Sequence, residues 1–200
     1  QEYLSAERKP FLTEKLSDKS AVKVFFTGRL VYYKGADVLL KAFRRVKNCE
    51  LFIAGTGVLE QQLKDYARAK GLDGKVHFLG FLPDEQLKQS YADCDIFVLP
   101  STVKSEAFGI VQLEAMVYGK PVINTNLASG VPCVSLDGVT GITVPPSDEK
   151  ALAAAINKLA QDSALRGEYG RNAEKRVREQ FSEENVIKRL YSVLTEGVNI

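Results

Sequence analysis

Two hundred residues make up most simply one domain, long enough to bury a sizeable core. Hydrophobic residues account for 45% of the chain and charged residues for 26%, and the net charge of +2 is too small for a nucleic-acid binder held by bulk electrostatics. No apolar run reaches the roughly 18 residues of a membrane span, and no secretory signal opens the chain. Cys49, Cys94 and Cys133 are an odd, widely spaced set without a C-x-x-C pair. They read as reduced thiols of a cytoplasmic protein rather than a disulfide frame or a zinc site. The chain opens on Gln1, which reads as a fragment or a processed product.

Residues 1–21 are mixed and charged without a sustained period, and are expected to be a lead-in or linker to a domain over 22–200. "VKVFFTG" (22–28) reads as a strand, and "GADVLLKAFRRV" (35–46) as a helix with one apolar face. "ELFIAG" (50–55) is a second strand and "VLEQQLKDYARAKG" (58–71) a helix stopped by Gly71. "VHFLG" (76–80) and "PDEQLKQSYADC" (83–94), with proline in its first turn, repeat the unit. Strand 95–100, helix 108–119 and strands 121–126 and 141–146 follow, and helical patterns fill 148–161, 163–180 and 183–195.

Short β-branched and aromatic runs, each followed by a helix, indicate a parallel sheet buried on both faces, hence a doubly wound, Rossmann-like α/β fold. Ligands bind such sheets outside the carboxyl ends of the strands, which points to residues 28–35, 55–58, 80–83, 100–109 and 126–131. The first turn, "GRLVYYKG", places Arg29 and Lys34 where a phosphate usually sits, and a guanidinium with an ammonium suits a diphosphate. Two solvated surface cations are the alternative. Gly55 and Gly57 in "AGTG" resemble half of a dinucleotide fingerprint, but no third glycine follows and no acidic residue ends the second strand. A nicotinamide-binding domain is thereby disfavoured, and a tight turn with close backbone packing is the competing reading.

"DCD" (93–95) lies at the wrong sheet edge for a ligand and reads as a turn. His77 is the only histidine, begins a strand, and is expected to pack there; no Ser-His-Asp or Cys-His arrangement and no metal site follows from it. Arg171, Lys175, Arg176 and Arg178 read as a solvated helix face rather than a surface for anionic lipid.

In "KSEAFGIVQLEAM" (104–116) Glu106 and Glu114 stand eight residues apart. Were both helical, they would be separated by roughly 12 Å along the axis and about 80° around it, too far for an acid/base pair on one bond. Carboxylates accept hydrogen bonds from pairs of hydroxyls such as sugars and riboses present, so two ends of one elongated ligand fit the spacing. A capping acid and a surface helix acid fit it equally. The first-turn amides near Phe108-Gly109-Ile110 point toward the ligand edge.

Six stretches in order, "GRL…KG" (28–35), "AGTG" (54–57), "VHFLGFL" (76–82), "PSTVKSEAFGIVQLEAM" (100–116), "GKPVI" (119–123) and "DGVTGITVPP" (137–146), resemble the C-terminal, donor-binding half of a retaining glycosyltransferase of family 4 with GT-B architecture. The resemblance covers about residues 22–195. It implies that Arg29 and Lys34 hold the donor diphosphate and stabilise the leaving group, the task a metal performs in other glycosyltransferases. Neither a metal nor another cofactor is expected, the nucleotide sugar being the substrate. Glu106, the first glutamate of the E-x7-E motif, would bind the donor sugar and Glu114 the ribose. Gly28, Gly55, Gly57, Ser105, Ala107, Phe108, Gly109 and Ile110 would complete the substrate contacts, with Phe81 and Leu82 lining the base pocket. The loop "SGVPCVS" departs from the family pattern at Ser129 and Cys133, near the donor sugar. The implied donor is GDP-mannose or a UDP-sugar. The implied acceptor is a glycan or lipid-linked glycan met through an N-terminal half, and nucleic acid is not a partner. The expected place is the cytoplasm, with peripheral membrane association of the full-length enzyme and a role in surface polysaccharide synthesis. A nucleotide-sugar epimerase of the same fold, or a nucleotide-binding module without catalysis, are the other readings.

Overall fold

The computed structural model describes residues 10–187 and 191. Its elements run β1 (Val22–Thr27), α1 (Ala36–Phe43), β2 (Cys49–Ala54), α2 (Glu60–Ala69), β3 (Val76–Gly80), α3 (Asp84–Asp93), β4 (Ile96–Val98), α4 (Val111–Val117), β5 (Val122–Thr125), α5 (Val131–Val134), β6 (Gly141–Val144), α6 (Glu149–Gln161) and α7 (Ser163–Gln180). The six strands form one sheet in the order β3-β2-β1-β4-β5-β6, and every neighbouring pair is parallel. The order reverses between β1 and β4, which opens a crevice beyond their carboxyl ends.

Strand period two divides the core. Val24 and Phe26, Leu51 and Ile53, and Ile96 and Val98 face one side, where they meet α1, α2 and α6. Phe25, Phe52 and Phe97 face the other, where Tyr91 of α3, Met116 of α4 and Ala173 of α7 cover them. This double covering explains why the strands read as continuous apolar runs. Helices α6 and α7 begin where the sequence pattern places them because Asp148 accepts from the amides of Lys150 and Ala151, and Asp162 from that of Leu165.

Two local expectations change, the lead-in and the start of the helix at 108. Residues 10–21, read as part of a lead-in, are packed on the domain: Leu12, Leu16 and Ala21 are buried in the core beside Phe25. Asp93, in the "DCD" turn, accepts from the amides of Leu12 and Thr13, both at 2.7 Å, and pairs with Lys23 at 3.3 Å. Glu50, only 2% exposed, accepts from the amides of Ser17 and Asp18 and meets His77, which stacks on Phe52. The expected helix over 108–119 begins only at Val111, because Gly109 takes a left-handed conformation at φ 71°. A 3-10 turn over Tyr32–Lys34 precedes α1, and the short α5 occupies the loop that departs from the family pattern. Of the helix expected over 183–195, residues 183–187 are helical, and 188–190 and 192–195 lie outside the described residues.

The anchoring of residues 10–21 is sensitive to acid. Burial alone would raise the Asp93 carboxyl above its ordinary 3.8, but the Thr13 hydrogen bonds and Lys23 outweigh it and hold the value down. Burial likewise works against Glu50, and the Asp18 and Ser17 amides together with His77 again lower it from 4.5. A carboxyl depressed in the folded state contributes stability that is complete above its unfolded value and is lost as pH falls through the folded one. Stability should therefore drop below about pH 4, and Asp93→Asn should flatten that limb while lowering stability at neutral pH. Urea midpoints taken from pH 7 down to about pH 3 would check this. A slope unchanged by the substitution would refute the role of Asp93.

Candidate active site at the sheet switch point

An ion pair joins the loops after β1 and β4 across the crevice. The Lys34 ammonium lies 2.6 Å from Glu106 Oε2, with 14% and 9% of the two side chains exposed. The Ser101 hydroxyl donates to the same oxygen at 2.9 Å, and Thr125 at the end of β5 donates to the Ser101 carbonyl at 2.6 Å. Glu106 is thus held by Lys34 and by Ser101, and Ser101 is in turn tied to β5. Two residues chosen separately from sequence are brought into direct contact, at the position where a doubly wound sheet takes its ligand.

Tyr33, absent from the sequence-based set, organises the cations. Its hydroxyl accepts from Arg29 Nη2 at 2.8 Å, its ring centroid lies 5.6 Å from the Lys34 ammonium, and its carbonyl accepts from the Thr102 amide at 2.8 Å. The aliphatic stem of Lys34 runs along Gly28. A cleft of about 220 Å³ opens beside this group, lined by Thr27, Gly28, Arg29, Ala54, Gly55, Thr56, Phe81, Leu82 and Leu87. Five of the predicted residues, Gly28, Arg29, Gly55, Phe81 and Leu82, therefore share one wall. Phe81 is 78% exposed although large and apolar.

The two glycines after β2 differ in their work. A Cβ at Gly55 would lie 2.0 Å from the Gly28 carbonyl oxygen, so glycine is required for the two loops to touch while both still line the cleft. Gly57 lies outside the cleft, and a Cβ there would meet the Leu30 carbonyl at 2.4 Å. The close-packing reading holds for Gly57.

Around α4 the predicted residues disperse more. Ser105 and Ala107 are exposed in the loop, and the Ala107 carbonyl accepts from the Gly130 amide at 2.7 Å. Ile110 is 65% exposed. Among the described residues, the amides of Phe108, Gly109, Ile110 and Val111 find no acceptor. Since Glu106 precedes the helix, the separation expected for two helical glutamates does not apply. Glu114 lies inside α4 and accepts from the Tyr91 hydroxyl at 2.6 Å. Tyr91 is itself 1% exposed and wedged edge-on against Phe25.

A cleft at the switch point with Arg29 in its wall, beside the Lys34–Glu106 ion pair, invites comparison with known proteins. Residues 8–176 match the family described as glycosyl transferases group 1. The chain belongs to this family. It is 35% identical over 175 residues to O-antigen chain mannosyltransferase C of Escherichia coli, an alignment covering 86% of this chain and 47% of that protein. It is 40% identical over 161 residues to D-rhamnosyltransferase WbpZ of Pseudomonas aeruginosa, covering 78% and 41%. The crystal structure of Anabaena Alr3699/HepE in complex with UDP superposes with a TM-score of 0.82 at 27% identity, covering 92% of this chain and 51% of that one. The chain thus spans about half the length of these relatives, and its sheet corresponds to one half of a GT-B fold.

In this group 1 transferase half the remaining candidates stay structural. Asp93 and His77 serve the anchoring contacts described above. Among the described residues no three His, Cys, Asp or Glu side chains converge as a metal would require, and no helix is long and apolar enough to cross a membrane. Lys175 and Arg178 pair with Glu179 and Glu174 along the helix, whereas Arg176 turns inward to donate to the carbonyls of Val134 and Cys133. Cys49 and Cys94 are buried thiols pushed up by that burial to about 12, which keeps them protonated; Cys133 is exposed.

Proposed function

We propose that the site is the donor-binding centre of a retaining glycosyltransferase. The whole protein would transfer a sugar from GDP-mannose or a UDP-sugar to a glycan or lipid-linked acceptor in surface polysaccharide synthesis. The observation that carries this reading is the Lys34–Glu106 pair across the switch point, beside an Arg29-lined cleft. The relatives named for mannosyl and rhamnosyl transfer, and the UDP complex of the HepE protein, support it.

The chemistry follows from charge. When the bond between the sugar carbon and the diphosphate breaks, negative charge collects on the departing phosphate oxygen. Arg29 and Lys34 would take up that charge through charge-assisted hydrogen bonds, the part a divalent cation plays elsewhere. Arg29 is exposed and can swing to a phosphate, while Lys34 would exchange part of its contact with Glu106 for the ligand. Glu106 would then accept from sugar hydroxyls and Glu114 from ribose hydroxyls, with Phe81 and Leu82 against the base. The proposed place of action is the cytoplasm, with the full-length enzyme at the membrane face. The 200-residue chain alone would bind nucleotide without turnover.

Glu106→Gln tests the exchange. It keeps the shape and the Ser101 contact but removes the charge that neutralises Lys34. Affinity for GDP or UDP should rise by about fivefold, since the ammonium becomes free for the diphosphate, while sugar transfer by the full-length enzyme falls. A fall in nucleotide affinity would contradict the exchange. The transferase reading itself is tested with a nucleotide-sugar panel on the full-length enzyme and NMR of the product anomer. Transfer with retained configuration is expected. Inversion, or release of an epimerised sugar nucleotide without acceptor, would overturn it.

A further inference from the structure

Behind the Phe108–Gly109 turn lies a buried amide pair. Gln112 and Asn124, 0% and 1% exposed, face each other between α4 and β5, and Asn124 Nδ2 donates to Gln112 Oε1 at 2.9 Å. Asn124 Nδ2 also approaches the carbonyls of Val131 and Ser135 at 3.2 and 3.3 Å, and Asn124 Oδ1 accepts from the Thr143 hydroxyl at 2.7 Å. Gln112 Nε2 donates to the Phe108 carbonyl at 3.0 Å and to that of Val131 at 3.3 Å. Among the described residues no buried side-chain nitrogen or oxygen lacks a partner, so the network is complete. An apolar pair of the same volume would fill this helix–strand contact and spare the desolvation of two amides, but the carbonyls of Phe108, Val131 and Ser135 and the Thr143 hydroxyl would lose these partners. What an apolar pair cannot supply is direction.

The direction falls on one peptide plane. In a trans peptide the carbonyl and the following N–H point opposite ways. Drawing the Phe108 carbonyl inward onto Gln112 therefore turns the Gly109 N–H outward, away from the core, where it has no acceptor among the described residues. Gly109 leaves no play in this: a Cβ there would stand 3.0 Å from Gln112 Nε2 and 2.5 Å from Leu99 Cδ2. Val131, which both amides hold, follows Gly130, whose own amide is bonded to Ala107 on the near side of the same turn.

The geometry points to Gln112 and Asn124 as positioning residues that aim the Gly109 amide, and the loop before α5, at the donor. The inference rests on the donor-site reading above. Neither side chain touches substrate; each acts through the backbone.

The test separates positioning from packing. Gln112→Leu, Asn124→Leu and the double variant are compared by thermal unfolding and by calorimetry with GDP, UDP and their sugar conjugates. Each single variant orphans buried polar groups and should lose stability, and the double should regain part of it. Donor affinity should stay down by about tenfold in the double as in the singles. A double variant that regains stability and binds like wild type would overturn the proposal, as would singles that fold and bind normally. Should the leucine variants not fold, Gln112→Met decides by the same comparison, since Asn124 keeps three other partners. A wild-type chain that binds no nucleotide would instead remove the donor-site reading, an outcome distinct from equal binding by wild type and variants.

Discussion

Lys34→Ala should cost both stability and ligand affinity. In the wild type the Lys34 ammonium neutralises a Glu106 carboxylate that is 9% exposed and also engaged by Ser101. Removing the cation strands that charge between two loops, and uncompensated charges of this kind cost about 3 kcal/mol. The same ammonium is the better buried of the two cations beside the cleft. Its loss should therefore weaken GDP or UDP binding by about a hundredfold, the scale for truncating one partner of a desolvated charge pair. Calorimetry gives the second number and urea unfolding the first. The double variant Lys34→Ala with Glu106→Ala sharpens the test. It removes the stranded charge and should recover most of the stability, but none of the affinity. Recovered affinity would mean that Lys34 serves only to neutralise Glu106.

Gly35→Ala should be strongly damaging although it removes no functional group. Gly35 adopts φ 71°, between the 3-10 turn that carries Lys34 and the first residue of α1. A Cβ there would lie 2.0 Å from the Pro100 carbonyl oxygen, which is backbone and cannot rotate away. The left-handed conformation adds its own cost for a side chain. Together these amount to about 4 kcal/mol, unless the loops after β1 and β4 separate. Separation would pull Lys34 from Glu106, so affinity should fall even at temperatures where the variant is folded. Thermal melts with and without GDP or UDP would check both. A variant with wild-type melting and wild-type nucleotide stabilisation would show that the two loops are not wedged together at Gly35.

Much of this was legible in the chain because the signals were local. The strands announce themselves as apolar β-branched runs because both sheet faces are covered, and α6 and α7 start at aspartates that cap them. Arg29, Lys34 and Glu106 stand in turns after strands, where surface cations and a capping acid fit as well, and only the ordered family motifs single them out. Their pairing could not be read from the chain, because it depends on β1 and β4 becoming neighbours although distant in sequence. Residues 10–21 read as a linker because what holds them is long-range: the amides of Leu12 and Thr13 donate to Asp93 at the end of α3, and those of Ser17 and Asp18 to Glu50 in β2. Helix α4 was read too long because apolar periodicity continues through Phe108-Gly109-Ile110, and only the left-handed Gly109 shows where the turn breaks. Tyr33 and Tyr91 passed as ordinary aromatics; their hydroxyls gain meaning only once Arg29 and Glu114 stand beside them. Gln112 and Asn124 had one available sign, amide side chains among the buried positions of α4 and β5.

The central claim is that Arg29 and Lys34 beside the switch-point crevice receive a nucleoside diphosphate. Calorimetric titration of GDP and UDP into the wild-type chain and into the Arg29→Ala, Lys34→Ala double variant tests it most directly. Saturable one-site binding to at least one nucleotide is expected, reduced by about a hundredfold or more in the double variant. Binding that is unchanged in the double variant, or no binding of either nucleotide to the wild type, would contradict it.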